Sequence, residues 1–148
     1  MSDMSNAWAF EHTVECSVSR EFAWKFWTNV DNWKLDSDVV SVELHGPFAA
    51  GAVGATQTKS SGRLEWRIAE LEPGRRAVLE FSAPGAVARF AYAFEDMEGR
   101  RTRITLRVSL SGERASMYVD TVGQALEVGI PEGMRKLCQA MERGRSKQ

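Results

Sequence analysis

Apolar and polar side chains alternate with a period of two along much of this chain. This spacing is that of a β-strand with one buried and one solvated face. In the first such segment Phe10, His12 and Val14 fall on one face, whereas Glu11 and Glu15 fall on the other. The pattern predicts the strands Trp8–Val18, Val39–Leu44, Val53–Thr58, Arg63–Leu71, Arg76–Ser82, Ala88–Glu95 and Arg101–Ser111.

Short turns separate most of these segments. Pro73-Gly74 and Glu98-Gly99 supply a preset φ or a residue that tolerates positive φ, which tight reversals require. Because such connections are too short for parallel crossovers, the sheet is predicted to be antiparallel. The positions expected to face inward are Leu64, Trp66, Ile68, Phe90, Tyr92, Phe94, Ile104, Leu106, Val108 and Leu110. The same alternation turns Glu70 inward, where we expect it to be solvated at the rim of the sheet.

Two stretches have helical spacing instead. Ser19 can cap a helix that carries Phe22, Phe26 and Trp27, and a short turn is expected from Asp31 to Leu35. From about Ala115 to Arg143 apolar residues recur every three or four positions, which predicts one long helix. Its apolar stripe is Val119, Val122, Leu126, Ile130, Gly133, Leu137 and Met141. Pro131 predicts a kink there or a break into two helices.

Composition excludes several classes of function. The 148 residues suffice for one domain, with an ordered core at about 7–143 and a net charge of -1, so no positive field attracts nucleic acid. Neither a basic leader before Arg20 nor an apolar stretch long enough to span a bilayer is present. Cys16 and Cys138 are too few for a disulfide framework, so a reducing, cytoplasmic location is expected.

Several diffuse motifs together resemble a known superfamily. They are Ser19-Arg-Glu-Phe-Ala-Trp24, Val30-Asp-Asn-Trp33, Val42-Glu-Leu-His-Gly46, Leu64-Glu-Trp66-Arg-Ile68, Tyr92-Ala-Phe94-Glu and a final helix containing Ile130-Pro131. Over nearly its whole length the chain is similar to the START/Bet v 1-like (SRPBCC) superfamily, particularly its bacterial branch of polyketide cyclase/dehydrase and lipid-transport-like proteins.

The resemblance implies an α+β helix-grip fold. In this fold a curved, seven-stranded antiparallel sheet wraps around a long C-terminal helix, and two short helices between strands 1 and 2 close one end of a cavity. Members bind sterols, lipids, polyketides, quinones or plant hormones, while others are cyclases or co-chaperone-like activators. The resemblance therefore implies a hydrophobic pocket without naming its ligand.

His12 and Tyr92 are the candidate reactive or anchoring groups. His12 is forced inward by the glutamates beside it, and imidazole can transfer a proton near neutral pH. A single inward histidine is also compatible with an ordinary hydrogen-bonded core residue. Tyr92 lies between inward phenylalanines, so its hydroxyl should reach a buried partner, water or ligand. His45 is expected to be exposed, and two distant histidines without matching ligands do not form a zinc site.

The leading hypothesis is a protein that binds a small hydrophobic molecule such as a lipid, isoprenoid or aromatic polyketide. The expected ligand-binding residues are His12, Trp27, Trp33, Trp66, Phe90, Tyr92, Val122 and Leu126. The alternatives are a cyclase or dehydratase that uses His12 or Tyr92, and a co-chaperone-like interaction module. No cofactor, metal, nucleic acid or stable membrane insertion is expected, and a homodimer stays open.

Overall fold

A computed structural model describes residues 7–35, 38–60 and 62–145. The strands are β1 (Trp8–Cys16), β2 (Val39–His45), β3 (Val53–Thr58), β4 (Gly62–Glu72), β5 (Arg76–Ala83), β6 (Ala86–Met97) and β7 (Arg101–Ser111). The helices are α1 (Arg20–Thr28), a 3-10 helix (Val30–Leu35), α2 (Ala115–Tyr118), a π-helix (Val119–Gly123) and α3 (Gln124–Arg145). Each predicted strand and helix is present, with ends shifted by a few residues.

The strands form one antiparallel sheet in the order β1-β7-β6-β5-β4-β3-β2. Hairpins connect the consecutive strands β2 to β7, and β1 pairs with β7 through an uninterrupted register from Trp8 opposite Leu110 to Cys16 opposite Thr102. Both short helices lie between β1 and β2 in the chain, and the long helical segment follows β7. The expected α+β helix-grip fold is therefore confirmed.

Helix α1 begins where the sequence places its cap. The Phe22 N–H donates to the Ser19 hydroxyl oxygen at 3.2 Å, which satisfies one of the free amides at the helix start. Ala23 and Trp27 are buried on the face that packs against the sheet. This cap and the 3-10 helix after it bring three tryptophans to one end of the sheet.

The terminal helical segment does not break at Pro131, and it is irregular at a point that the sequence does not predict. Helix α3 passes through Pro131 without ending, whereas the break from α-helical geometry lies earlier, in the π-helix Val119–Gly123. A Cβ at Gly123 would come within 3.2 Å of the Trp8 indole, so this glycine permits close packing. Within α3 the buried positions are Ile130, Met134, Cys138 and Met141, so Met134 and Cys138 take the places predicted for Gly133 and Leu137.

The inner face of the sheet and the helices form one apolar core. Ile68, Leu79, Phe94 and Ile104 from four strands share this core with Met134 of α3. Leu106 and Val108, on β7 beside the edge strand β1, are also buried there. The predicted separation of an apolar and a charged face is therefore present in the folded sheet.

The outer face carries a network of ion pairs across β4, β5 and β6. Arg89 contacts both Glu70 and Glu80, and Arg67 and Arg76 bind the same two carboxylates at 2.7 Å each. The hydrogen bond from Arg89 lowers the pKa of the Glu70 carboxyl. Glu70 is solvated, as expected, but it lies on the outer face, so the inward position that the alternation gave it is wrong. A register shift between Ile68 and Glu70 reverses the alternation at this point of β4.

Cys16 and Cys138 form a disulfide that joins the end of β1 to α3. Their Cα atoms are 5.4 Å apart, within the range that a disulfide spans. The sequence does not predict this bridge, because two cysteines 122 positions apart carry no spacing signal. Tertiary structure alone brings them together.

Reduction of this disulfide is expected to destabilise the fold. Closing a loop of 122 residues stabilises the oxidised chain by roughly 4–5 kcal/mol in the chain-entropy treatment. Dithiothreitol should therefore lower the free energy of unfolding, measured by urea denaturation. The double variant Cys16→Ala with Cys138→Ala serves as the control and should not respond to the reductant. Two free thiols in the unreduced, denatured chain would contradict the bridge.

Candidate functional site

Helix α3 is attached to β1 near both of its ends. Near its start, the Trp8 Nε1–H donates to Glu127 Oε2 at 2.8 Å. Near its C-terminal end lie the Cys16–Cys138 bridge and a hydrogen bond from the Ser17 amide to Glu142. Among the strands, α3 approaches β1 most closely. Since β1 is an edge strand, the helix lies to one side of the sheet, and longer side chains fill the space over the middle strands.

Two rows of side chains cross the inner face beneath this helix. In one row Phe10 is paired with Val108, which is paired with Phe90. In the next row His12, Leu106 and Tyr92 occupy the same three strands. The middle residues of both rows are buried, whereas the outer members of both rows keep some solvent exposure. The buried aliphatic residues Val108 and Leu106 therefore lie between Phe10 and His12 on β1 and Phe90 and Tyr92 on β6.

The Tyr92 hydroxyl has no hydrogen-bond partner within the described part of the chain. Across the same residues, every sealed side-chain nitrogen or oxygen atom has a partner, so this hydroxyl must border a space that water can enter. Burial of the side chain nevertheless raises the pKa of Tyr92 above its ordinary value. Tyr92 therefore presents a neutral hydroxyl from an otherwise apolar wall.

The His12 imidazole also has no protein partner in the described part of the molecule and borders accessible space. It is half-buried, and residues 7–35, 38–60 and 62–145 offer it no hydrogen-bond partner. His12 is the midpoint of β1 between the attachments at Trp8 and Cys16, so it lies under the middle of α3. In contrast, the inner-face hydroxyl of Thr102 donates to the Val18 carbonyl at 2.8 Å. The second histidine, His45, is exposed as expected.

An aromatic cluster lies at the end of the sheet where α1 and the 3-10 helix pack against it. Trp27 is at its centre, with its ring centroid 4.5 Å from Tyr92, 5.5 Å from Phe48 and 5.8 Å from Trp33. The Trp33 indole N–H donates to the Trp27 carbonyl at 2.7 Å, which fixes the orientation of its ring. Trp27 is almost wholly buried, whereas Trp33 is half-buried.

Trp66 extends this cluster across the sheet. Its ring centroid is 5.2 Å from that of Trp33, and its indole N–H donates to the Thr56 hydroxyl at 3.0 Å. The ring covers Gly54, where a Cβ would come within 2.5 Å of it. Since its polar atom is already bonded and the side chain is 3% exposed, Trp66 lies in the packed part of the wall.

Of the two helix residues predicted to line the pocket, Leu126 faces the core and Val122 does not. Leu126 is half-buried and packs against the main core. Val122 is 38% exposed, because the π-helix that contains it turns this position outward. Phe90, the remaining predicted wall residue, is half-buried and lies 5.0 Å from Phe81 between ring centroids.

Three further aromatic residues join the site. Phe10 and Phe81 follow the strand alternation and could have been identified from it. Phe48 follows Gly46-Pro47 in a loop, where no periodic pattern marks it as inward. Its packing against Trp27 and Trp33 is visible only in the folded chain.

A shallow groove of about 400 Å³ lies elsewhere, at the β4–β5 pair. Its lining comprises Arg63, Leu64, Glu65, Phe81 and Ser82, so it combines charged residues with Phe81, which packs against Phe90. Within the described residues, no group of histidine, cysteine or carboxylate side chains is placed to hold a metal ion. In that same part of the chain, none of the helices has the length and apolarity that a membrane span requires.

Solved structures with this architecture include two enzymes. Over 92% of this chain and 94% of the other, the Zhui aromatase/cyclase of Streptomyces sp. R1128 superposes with a TM-score of 0.72 at 16% identity. Norcoclaurine synthase of Thalictrum flavum, solved with dopamine and hydroxybenzaldehyde, gives 0.70 at 10% identity over 90% of this chain and 85% of its own.

A third similar structure is that of Ara h 8.0201, with a TM-score of 0.74 at 15% identity over 90% of this chain and 97% of that one. No family model and no curated protein matches the chain by sequence. Because all of these identities are low, the similarity concerns the fold. The chain shares its helix-grip fold with these three solved structures.

Proposed function

We propose that this protein binds a small, mainly apolar ligand between the inner face of the sheet and helix α3. The observation that carries the proposal is the pair of polar groups, on His12 and Tyr92, that face accessible space without a protein partner. A buried polar group without a hydrogen bond costs free energy, so such groups are commonly satisfied by water or a ligand.

The surroundings of these groups fit the same function. Binding sites for small molecules are mostly apolar and aromatic, with a few polar groups that set the orientation of the ligand. Here Phe10 and Phe90 lie on the inner face two residues before His12 and Tyr92 on the same strands, and the Trp27 ring centroid is 4.5 Å from that of Tyr92. The complex of norcoclaurine synthase with dopamine and hydroxybenzaldehyde shows that this fold can hold small aromatic molecules.

Naphthalene and palmitate are suitable first probes. Binding near Trp27, whose ring is 4.5 Å from Tyr92, should change the tryptophan fluorescence in a saturable way. Native mass spectrometry of gently purified protein should also show a copurified apolar molecule. If neither probe binds and the protein carries no such molecule, the proposed function is wrong.

Truncating Phe90 is expected to weaken the binding of naphthalene. An aromatic pair contributes about 0.5–1.5 kcal/mol beyond buried area, so Phe90→Ala should raise the dissociation constant roughly three- to tenfold. Phe26→Ala is the matched control, because Phe26 packs against Phe22 beside Gly144, away from the inner face. Thermal melts confirm that both variants fold. Equal losses in the two variants would contradict the assignment of Phe90.

Ionisation of Tyr92 is expected to oppose folding at high pH. Its pKa is raised in the folded chain, so the protonated form is favoured there. Its contribution to stability is complete below the unfolded pKa of about 10 and is lost as pH rises above that value. The unfolding free energy of the parent chain should therefore fall relative to that of Tyr92→Phe between pH 9 and pH 11, in urea titrations at each pH. A difference independent of pH would show that Tyr92 is exposed to bulk solvent.

A second candidate is a cyclase or dehydratase in which His12 or Tyr92 transfers a proton. It is supported by the lack of protein partners for both groups and by the Zhui aromatase/cyclase among the similar structures. Positioning and exclusion of water supply much of the rate in such a site, so few recognisable motifs are needed.

The enzymatic candidate predicts a chemical change in a bound molecule. The ligand extracted from the parent protein should differ from the ligand extracted from His12→Leu, by the mass of water for a dehydration or in chromatographic retention for a cyclisation, since only the parent converts it. His45→Leu is the control, because that histidine is exposed on the outer face. Identical extracted molecules from all three proteins would favour binding alone.

A further inference from the structure

His12 and Tyr92 lie opposite each other across a single buried residue. Both are paired, through β7, with Leu106. Adjacent strands are about 4.8 Å apart, so the two Cα atoms are separated by roughly 10 Å. Their side chains leave the sheet on the same side, so a flat molecule held between them would have one edge at each polar group.

The spacing limits the size of a molecule that contacts both groups. Two hydrogen bonds of about 2.8 Å each must also fit between the groups, so the ligand atoms that make them are closer together than the roughly 10 Å between the two Cα atoms. One ring or two fused rings with oxygen groups on opposite edges satisfy this separation. A flexible acyl chain with a single polar end reaches only one of the groups.

The charges of the strands favour a neutral ligand. Every lysine or arginine in the described strands falls on the outer face, as Arg67, Arg89 and Arg103 illustrate. Arg67 and Arg89 are engaged by Glu70 or Glu80, and Arg103 is paired with Glu15. A carboxylate at Tyr92 would meet a neutral hydroxyl and no arginine or lysine of the strands, which leaves its charge poorly compensated.

Resting on the proposed function, we propose that His12 and Tyr92 act as a two-point clamp that selects a neutral ring ligand with oxygen groups on two opposite edges. The clamp determines specificity, whereas the aromatic and aliphatic walls supply most of the affinity. Tyr92 contributes a hydroxyl that stays neutral, and the imidazole of His12 can donate or accept.

A graded series of probes tests the clamp in the unaltered protein. Dissociation constants for naphthalene, 1-naphthol, 1,5-dihydroxynaphthalene, 1-naphthoate and palmitate are measured from tryptophan fluorescence or calorimetry. Each new hydrogen bond is expected to tighten binding roughly three- to tenfold, so affinity should rise from naphthalene to the diol. The naphthoate and palmitate should bind more weakly than the diol.

Two variants and two matched controls assign the effect to residues. In Tyr92→Phe and in His12→Leu, the ratio of the diol to the naphthalene dissociation constant should rise roughly three- to tenfold. The chain contains two tyrosines and two histidines, so Tyr118→Phe and His45→Leu provide the same chemical changes outside the clamp. Tyr118 donates to the Pro84 carbonyl, and His45 is exposed; both controls should leave the ratio unchanged.

The outcomes separate the clamp from the function on which it rests. If naphthalene binds but the hydroxyl groups add no affinity, or if palmitate binds more tightly than the diol, the clamp is overturned while apolar binding stands. Unchanged ratios in Tyr92→Phe and His12→Leu overturn it as well. If none of the five probes binds, the proposed function fails and the clamp fails with it.

Discussion

The position of the terminal helix along an edge strand determines how the interior of this domain is arranged. Trp8 and Glu127 join them near one end, and the Cys16–Cys138 bridge joins them near the other. A helix held over β1 cannot cover the middle strands with its own backbone. Large side chains from the sheet must therefore fill the remaining width, and those of the site, Phe90 and Tyr92, keep part of their surface accessible.

The two short helices fix the tryptophans at one end of this interior. The polar groups of His12 and Tyr92, unpaired within the described chain, lie on the strands. Trp27 and Trp33 are oriented by ring contacts and by the hydrogen bond between them, and Trp66 is oriented by Thr56. Gly54 allows the Trp66 ring to lie against the backbone of β3. Because the Trp33 and Trp66 indole N–H groups donate to protein acceptors, neither is left for a ligand, whereas His12 and Tyr92 have no protein partner among the described residues.

Much of the site could be predicted from strand alternation. It placed His12, Trp66, Phe90 and Tyr92 on the inner face, since a period of two permits one assignment of faces for each regular strand. It failed for Glu70, because a bulge is a local change of register that composition does not mark. Helical periodicity, in turn, failed for Val122, because it assumes a regular helix and Val122 lies in the π-helix.

The sequence by itself determined the number and order of the strands, the apolar and charged faces of the sheet, and the long terminal helix. These features follow from local periodicity and turn chemistry, which adjacent residues carry. Only the tertiary structure decided the pairing of Cys16 with Cys138, the inward packing of Phe48 and the alignment of His12 with Tyr92 across Leu106. Each of these joins residues far apart in the chain, and their relative positions depend on strand order and register, which no local pattern specifies.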